Sequence, residues 1–109
     1  MKYKSELELQ SIVYQEFYTK YPEYRIKSNS KHPKCLLMHN YNNPRSEIQG
    51  AKLKAAGLVE GTPDLTLYVP KKGYGALIIE LKTGTEKPRP SQVEVMNKLK
   101  SVGYKVEWT

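Results

Sequence analysis

The sequence predicts a single α/β domain over residues 1–109, in which helices pack on a mixed β-sheet. Three observations support this class: helix-spaced apolar stripes, strand-like alternation between them, and a balanced composition. Hydrophobic residues make up 39% of the chain and charged residues 27%, as in ordinary folded domains. A chain of 109 residues can form one core but not two. The predicted element order is α-β-α-β-β-α-β.

The first half of the chain predicts two helices around one short strand. A helix from Ser5 to about Lys20 ends before Pro22, and an apolar run at 35–38 predicts a strand. A second helix, from about Glu47 to Ala56, begins with the capping-box pattern at 46–49 and stops at Gly57. The apolar stripe of the first helix is Leu9, Ile12, Val13 and Phe17. The apolar side of the second is Ile48, Ala51, Leu53 and Ala55.

The second half predicts two strands, a helix and a final strand. Residues 64–69 and 76–82 are predicted strands, and the short turn at 70–75 favours their pairing as a hairpin. After a loop rich in proline and glycine, Ser91 opens a second capping box and a helix that Gly103 ends. The apolar stripe of that helix is Val95, Met96, Leu99 and Val102. Residues 104–108 alternate as the last strand.

Composition excludes several classes of protein. Cys35 is the only cysteine, so an internal disulfide and a zinc site built on paired cysteines are excluded. No apolar run approaches the roughly 20 residues that cross a bilayer, and we expect no membrane partner. Residues 1–6 lack the apolar stretch of a signal peptide, so we expect the protein to remain in the cytoplasm, that of a bacterial host if it is phage-encoded.

The net charge of +7 is concentrated in one stretch. Between Tyr24 and Val59, seven basic residues face Glu47 alone, which gives this stretch +6: Arg25, Lys27, Lys31, Lys34, Arg45, Lys52 and Lys54. Side chains able to stack on bases or bond to phosphates lie among them: Tyr24, His32, His39, Asn40, Tyr41, Asn42 and Asn43. Binding of such a basic stretch to a phosphate backbone is favoured because it releases counterions, so nucleic acid is the expected partner. The alternative is a solvated basic face that aids solubility.

Two acids and a lysine form the candidate catalytic group. Glu80 and Lys82 are two apart on a strand and share one side of it, while Asp64 opens the neighbouring strand and can lie across from Glu80. Converging carboxylates repel each other unless a cation lies between them, and all-oxygen ligation suits Mg²⁺ or Mn²⁺. Lys82 can orient or deprotonate a water and offset charge on a phosphate. These are the ingredients of phosphodiester hydrolysis, and no small-molecule cofactor is expected.

The alternative is a surface strand on which Glu80 and Lys82 are solvated and Asp64 pairs with Lys82. An E-x-K triplet alone favours that alternative, because it occurs in many strands by chance. Its context favours catalysis: Pro63 precedes Asp64, Gly61 precedes it by three residues, and an apolar strand leads into Glu80.

These motifs resemble a known nuclease signature. Pro63-Asp64, then fifteen residues, then Glu80-Leu81-Lys82 is similar to the PD-(D/E)xK pattern. More narrowly, the chain resembles the stand-alone VRR-NUC domains of phages and bacteria, which share a domain with the Fanconi-associated nuclease of eukaryotes. The similarity covers almost the whole chain: a first helix with a glutamate and Gln10, then residues 43–45, 57–65 and 78–82, Gln92, and residues 103–106.

The resemblance implies a restriction-endonuclease-like fold and a set of metal ligands. Asp64, Glu80 and the Leu81 carbonyl would bind the metal, and Lys82 would assist catalysis. A first-helix glutamate would join them, either Glu6 or Glu8. Periodicity favours Glu6, because Leu9 and Val13 lie three and seven residues further on and share its side of the helix. The alternative for both is a favourable acid in the first helical turn.

Other candidate residues have weaker signals. Gln92 would reach the metal site or a phosphate, as similar glutamines do in this family, or it is simply part of a capped helix. Asn43 and Arg45, with Lys52 and Lys54, would hold DNA phosphates, and the alternative for the first two is a plain loop. His32 and His39 lack a partner at metal-binding spacing, so loop or strand roles are expected.

The predicted activity is a metal-dependent DNA nuclease of replication, repair or recombination that selects branched or Holliday-junction DNA. One site on one chain cuts one strand, and the stand-alone domains resemble dimeric resolvases, so a homodimer is expected. Three rival functions are kept: a non-catalytic nucleic-acid-binding module on the same fold, an exonuclease acting on linear DNA ends, and an RNA-directed enzyme.

Overall fold

The computed structural model describes residues 5–26, 34–40 and 46–109, and it confirms the predicted α/β class and element order. The elements are α1 (Glu6–Lys20), a 3₁₀ helix (Pro22–Tyr24), β1 (Leu37–His39), α2 (Glu47–Ala55), β2 (Leu65–Leu67), β3 (Leu77–Glu80), α3 (Pro90–Ser101) and β4 (Lys105–Trp108). The short 3₁₀ helix is the one addition to the predicted order. Among the helices in these ranges, none is both long and apolar enough to cross a membrane.

The strands of the described residues form one mixed sheet in the order β1-β2-β3-β4. β1–β2 and β2–β3 are antiparallel, whereas β3–β4 is parallel because α3 carries the chain back between them. The predicted hairpin is therefore confirmed, with Leu65 opposite Ile79 and Leu67 opposite Leu77. Continued by one residue, this register brings Asp64 opposite Glu80.

Helices cover both faces of the sheet. On one face, residues of α1 pack against a buried cluster formed by Cys35, Leu37, Leu65 and Leu81. On the other, Met96 and Leu99 of α3 pack against Ile78 and Val106. Alternation along β3 explains the division, because Ile78 and Ile79 project to opposite faces. The end of β3 therefore lies between α1 and α3.

Side-chain caps begin two of the helices where the sequence predicts. Ser5 Oγ accepts a hydrogen bond of 3.1 Å from the backbone N–H of Glu8, and Ser46 Oγ accepts one of 3.1 Å from that of Gln49. The third helix begins at Pro90, not at Ser91 as predicted. Proline is favoured in the first turn because its missing N–H has no helical partner there. This start makes Gln92 the third helical residue.

Two expectations about packing and one strand boundary are wrong. Ile48 is 73% exposed and Val102 is 60% exposed, so neither contributes to the core, and the buried residue of α2 is Gly50. The predicted strand at 35–38 is shifted, because Cys35 forms an isolated antiparallel bridge with Arg25 and β1 begins at Leu37. Tertiary contacts override local patterns at these positions.

Candidate active site

A cleft of about 760 Å³ opens at the edge of the sheet where β3 ends. It lies beside the N-terminal turns of α1 and α3, and the segments that flank β2 and β3 complete it. Acidic, basic and apolar side chains line the cleft together: Glu6, Leu7, Gln10, His39, Lys54, Leu58, Val59, Glu60, Gly61, Asp64, Glu80, Lys82, Glu86, Lys87, Arg89 and Gln92. Most of the predicted site residues therefore meet in one place.

Asp64 is held at the start of β2 by contacts on two sides. Its Oδ2 accepts a hydrogen bond of 2.8 Å from the backbone N–H of Leu81. Its carbonyl oxygen accepts one of 2.8 Å from the N–H of Asn40, whose side-chain amide also donates to the Pro63 carbonyl at 3.0 Å. The alternative pairing of Asp64 with Lys82 is not among the ion pairs of the described residues.

Glu80 is the most buried acid of the cleft, with 1% of its surface exposed. Its Oε2 accepts a 2.7 Å hydrogen bond from the Gln92 amide and lies 3.3 Å from Lys82 Nζ. Its Oε1 is buried and accepts no hydrogen bond from the described residues. Buried polar atoms of folded proteins are almost always satisfied, so this oxygen is available to a ligand. The alternative of a solvated Glu80 is wrong.

Lys82 connects Glu80 to the first helix. Its side chain is 7% exposed, and Nζ lies 3.5 Å from Glu6 Oε1 as well as 3.3 Å from Glu80 Oε2. Glu6 Oε1 is itself buried without a hydrogen bond in the described structure. Glu8 is exposed and does not line the cleft. Of the two first-helix acids, Glu6 is therefore the one that faces the site.

The electrostatics of the cleft act most strongly on Glu80. The pKa of its carboxyl group is raised to about 7, mainly by burial and also by the nearby Asp64 carboxylate, while the Lys82 ammonium opposes the rise. A carboxyl group with this pKa is protonated in part of the molecules and ionised in the rest near neutral pH. Such groups are characteristic of functional sites.

Gln92 has both of the roles that the sequence left open, because it caps α3 and also contacts the candidate metal site. Its side-chain oxygen accepts a 2.8 Å hydrogen bond from the backbone N–H of Arg89, which caps α3. Its side-chain nitrogen donates to Glu80. Gln92 therefore fixes the Glu80 carboxylate to the start of α3.

Gly61 allows the loop before Asp64 to approach α3. Its φ is +88°, and a Cβ at this position would lie 2.5 Å from the backbone oxygen of Ser91. A side chain is excluded both by the backbone conformation and by the contact. The glycine three residues before Asp64 thus brings the Asp64 loop and Gln92 together.

The acids of the cleft suit a hard cation, although they are not arranged around one. Among residues 5–26, 34–40 and 46–109, no group of three or more histidine, cysteine, aspartate or glutamate side chains is placed to hold a metal. Asp64 bonds to Leu81, and the Lys82 ammonium lies between Glu6 and Glu80. The donors are carboxylate oxygens, and one of them, Glu80 Oε1, has no partner among these residues. This chemistry fits Mg²⁺ or Mn²⁺.

The predicted DNA-binding residues are only partly brought to the cleft. Lys54 lines it and forms an exposed 3.8 Å ion pair with Glu60, whereas Lys52 is exposed on α2 outside it. Asn43 and Arg45 lie outside the described residues.

Several residues that line the cleft were not predicted from the sequence to belong to the site. Lys87 and Arg89 extend the basic surface, and two positive charges in the loop directly after Lys82 were the available signal. His39 is a strand residue, as predicted, yet its Nδ1 lies 3.0 Å from Gln10 Nε2 and 3.3 Å from the Asp64 carbonyl oxygen. No local pattern reveals that approach.

Comparison with known proteins supports the fold. No protein-family model matches the chain, and no curated protein matches it. A solved structure described as a VRR_NUC domain protein is similar to all of this chain and to 80% of its own, with a TM-score of 0.72 and 26% sequence identity. The resemblance predicted from the motifs between Pro63 and Lys82 is confirmed.

Proposed function

We propose that this chain, a VRR-NUC-like domain of the nuclease type, is a deoxyribonuclease that hydrolyses phosphodiester bonds with Mg²⁺ or Mn²⁺. The observation that carries the proposal is Glu80: a buried acid with a pKa of about 7 and an oxygen without a partner in the described structure, facing a cleft rimmed by cations. A purely structural acid would have both oxygens satisfied. A binding module gains nothing from clustered acids that face a polyanion.

The proposed ligands of the cation are Glu6, Asp64, Glu80 and the carbonyl oxygen of Leu81. All four supply oxygen, which magnesium and manganese prefer. A bound ion of this kind supplies Lewis acidity toward a phosphoryl oxygen. Gln92 orients Glu80 through its 2.7 Å hydrogen bond to Oε2, which leaves the other carboxylate oxygen, Oε1, without a partner in the described structure.

Lys82 is the proposed catalytic cation of the chain itself. Its ammonium group, held by Glu6 and Glu80, has hydrogen-bond donors to offer a phosphate oxygen on which negative charge develops. The same group orients the attacking water. Its burial limits access of bulk water, which strengthens both interactions.

We propose that the basic residues around the cleft contact the phosphate backbone of DNA. Lys54, Lys87 and Arg89 line it, and Lys52, Asn43 and Arg45 would extend the path of the DNA. Contacts to phosphates fix the position of a duplex without reading its sequence. The proposed enzyme therefore selects DNA by its structure and not by its base sequence. Its proposed role is in replication, repair or recombination.

A homodimer that cuts branched or Holliday-junction DNA is the proposed working form. One site cuts one strand, so symmetric cutting of two strands requires two protomers related by a two-fold axis. The +7 charge suits a branched substrate with a high density of phosphates. Sedimentation at micromolar concentration, with cleavage of junction, flap and linear DNA, tests this form. A monomer that degrades linear DNA from its ends would contradict it and indicate an exonuclease.

The activity itself is tested by incubating the protein with DNA or RNA, with and without Mg²⁺ or Mn²⁺, beside a Lys82→Ala variant. We expect DNA cleavage that needs the metal and is lost in the variant. Binding without cleavage would indicate a non-catalytic module. Cleavage of RNA alone would indicate an RNA-directed enzyme.

A further inference from the structure

A second concave surface lies at the opposite end of the β2–β3 hairpin from the cleft. This groove, called here the hairpin groove, has a volume of about 640 Å³. Leu67, Leu77 and Ile79 form its floor, and Val13 and Phe17 of α1 form one wall with Tyr21, the residue after that helix. None of these residues has a role in the proposed nuclease site. The hairpin groove is therefore an apolar surface that is separate from the proposed nuclease site.

The turn of the hairpin presents charged and aromatic side chains at the mouth of the hairpin groove. Lys71 and Tyr74 exchange two backbone hydrogen bonds of 3.0 Å, and the two residues between them have positive φ, +53° at Lys72 and +85° at Gly73. These values are those of a type I′ turn, which matches the twist of the flanking strands. The turn therefore sets the backbone positions of Lys71, Lys72 and the half-exposed Tyr74, all of which line the hairpin groove.

Electrostatics make the mouth of the hairpin groove attractive to anions. Within the described ranges, no acid lies within ion-pair distance of Lys71 or Lys72. Lys105 also lines the groove: its Nζ lies 5.7 Å from the centre of the Tyr74 ring and 3.2 Å from Glu107. An apolar floor, an aromatic ring and unpaired cations are the features that bind single-stranded nucleic acid, whose bases stack while its phosphates pair with lysines.

We propose that the hairpin groove binds a single-stranded segment of DNA, with a base packed against Tyr74 and the apolar floor and phosphates on Lys71 and Lys72. The inference rests on the proposed nuclease function and deepens it, because it specifies the substrate as DNA with an unpaired segment beside the cut. Helix α1 connects the two sites. Glu6 in the cleft and Phe17 in the groove are about 16.5 Å apart along its axis at 1.5 Å per residue, which is the distance that a strand running along this helix would have to span.

A second copy of the chain is a poorer occupant. A two-fold interface would face each hairpin groove with its own copy and bring Lys71, Lys72 and Lys105 of both protomers together. Glu107 already pairs with Lys105, so it does not offset this repulsion. A polyanion instead gains from the same charges.

Binding of a fluorescein-labelled oligothymidylate, followed by fluorescence anisotropy in EDTA, tests the proposal without cleavage. Loss of a stacking ring costs about fivefold or more in affinity, so Tyr74→Ala should bind at least about fivefold more weakly than the wild type. Tyr74→Phe should restore binding, because the ring is retained. The control is Tyr68→Ala, which removes a tyrosine of comparable exposure outside the hairpin groove and should bind like the wild type.

The lysines are tested by the salt dependence of the same binding. Lys71→Gln with Lys72→Gln should flatten the slope of log affinity against log salt by about 1.4, at roughly 0.7 per phosphate contact on single strands. Lys98→Gln with Lys100→Gln removes the same charge from α3 and should leave the slope nearly unchanged.

The proposal would be overturned if Tyr74→Ala bound the oligothymidylate with wild-type affinity, or if this variant lost as much affinity for blunt duplex DNA. It would also be overturned if Tyr74→Ala changed the protein from dimer to monomer without changing its binding of the oligothymidylate. The last would identify a second copy as the occupant. If instead the wild type binds the oligothymidylate through Tyr74 but cleaves no DNA with either metal, the hairpin-groove proposal stands and only the nuclease proposal fails.

Discussion

The ammonium nitrogen of Lys82 lies 3.3 Å from Oε2 of Glu80, and both side chains are buried, with 7% and 1% of their surface exposed. Each group makes the burial of the other tolerable, because an isolated buried charge is costly. The pair also lies between α1 and α3, where the sheet ends. The stability of the protein is therefore coupled to the residues that we propose for catalysis.

Lys82→Met is expected to destabilise the metal-free protein. Removing one member of a buried ion pair typically costs about 3 kcal/mol, and here it leaves Glu6 and Glu80 without their shared cation. The loss should be larger near pH 8 than near pH 5, where Glu80 is protonated. Urea unfolding in EDTA at both pH values measures it. Equal stability of variant and wild type near pH 8 would show that Lys82 does not compensate these acids.

The pH dependence of stability should carry a component from Glu80. Its folded-state pKa of about 7 lies above its unfolded value of 4.5, so between these values the folded protein binds more protons. The free energy of unfolding therefore falls as the pH rises from about 4.5 to about 7, by on the order of 3 kcal/mol. Glu80→Gln lacks this group and should gain stability relative to the wild type from pH 5 to pH 8. A difference that does not change with pH would contradict the raised pKa.

Gly61→Ala tests the close approach of the Asp64 loop to α3. The new methyl group would lie 2.5 Å from the Ser91 backbone oxygen, so we expect a loss of about 1–3 kcal/mol beyond the backbone strain. The matched control is Gly73→Ala, because Gly73 has a similar φ of +85° and nothing within 4 Å of its Cβ position. Thermal unfolding of both variants separates contact from strain, and equal losses would exclude the contact.

Much of the fold and the centre of the site could be predicted from the sequence. The period of two along strands and the short turn between β2 and β3 allow a register in which Asp64 and Glu80 are opposite, and the structure has this register. The i, i+2 spacing placed Lys82 beside Glu80 for the same reason. These features depend on local geometry, which the sequence encodes directly.

The remaining features depend on contacts between distant segments. The amphipathic pattern of α3 does not reveal that Gln92 bonds to Glu80, twelve residues earlier. The loop that contains Lys87 and Arg89 has no periodicity to show that it borders the cleft. Ile48 and Val102 fit apolar stripes, yet nothing packs over them, because a stripe predicts a side of a helix and not its partner.

The basic residues of the DNA path are tested by salt dependence on duplex DNA. Lys52→Gln with Lys54→Gln, or Arg45→Gln alone, should weaken binding to all sequences and flatten the slope against log salt by about one unit per lost contact. Electrophoretic shift assays over a salt series measure the slope. Lys98→Gln, on α3, is the control. An unchanged slope in the first two variants would move the DNA to another surface.

Metal-dependent cleavage by variants of Glu80 and Asp64 tests the proposed active site. In single-turnover reactions with Mg²⁺ on branched and duplex DNA, Glu80→Gln and Asp64→Asn should cut at least about a hundredfold more slowly than the wild type, while they keep the fold and bind DNA at least as tightly. Glu86→Gln removes an exposed acid of the same cleft and should retain activity. Cleavage at the wild-type rate by Glu80→Gln would contradict the proposed active site.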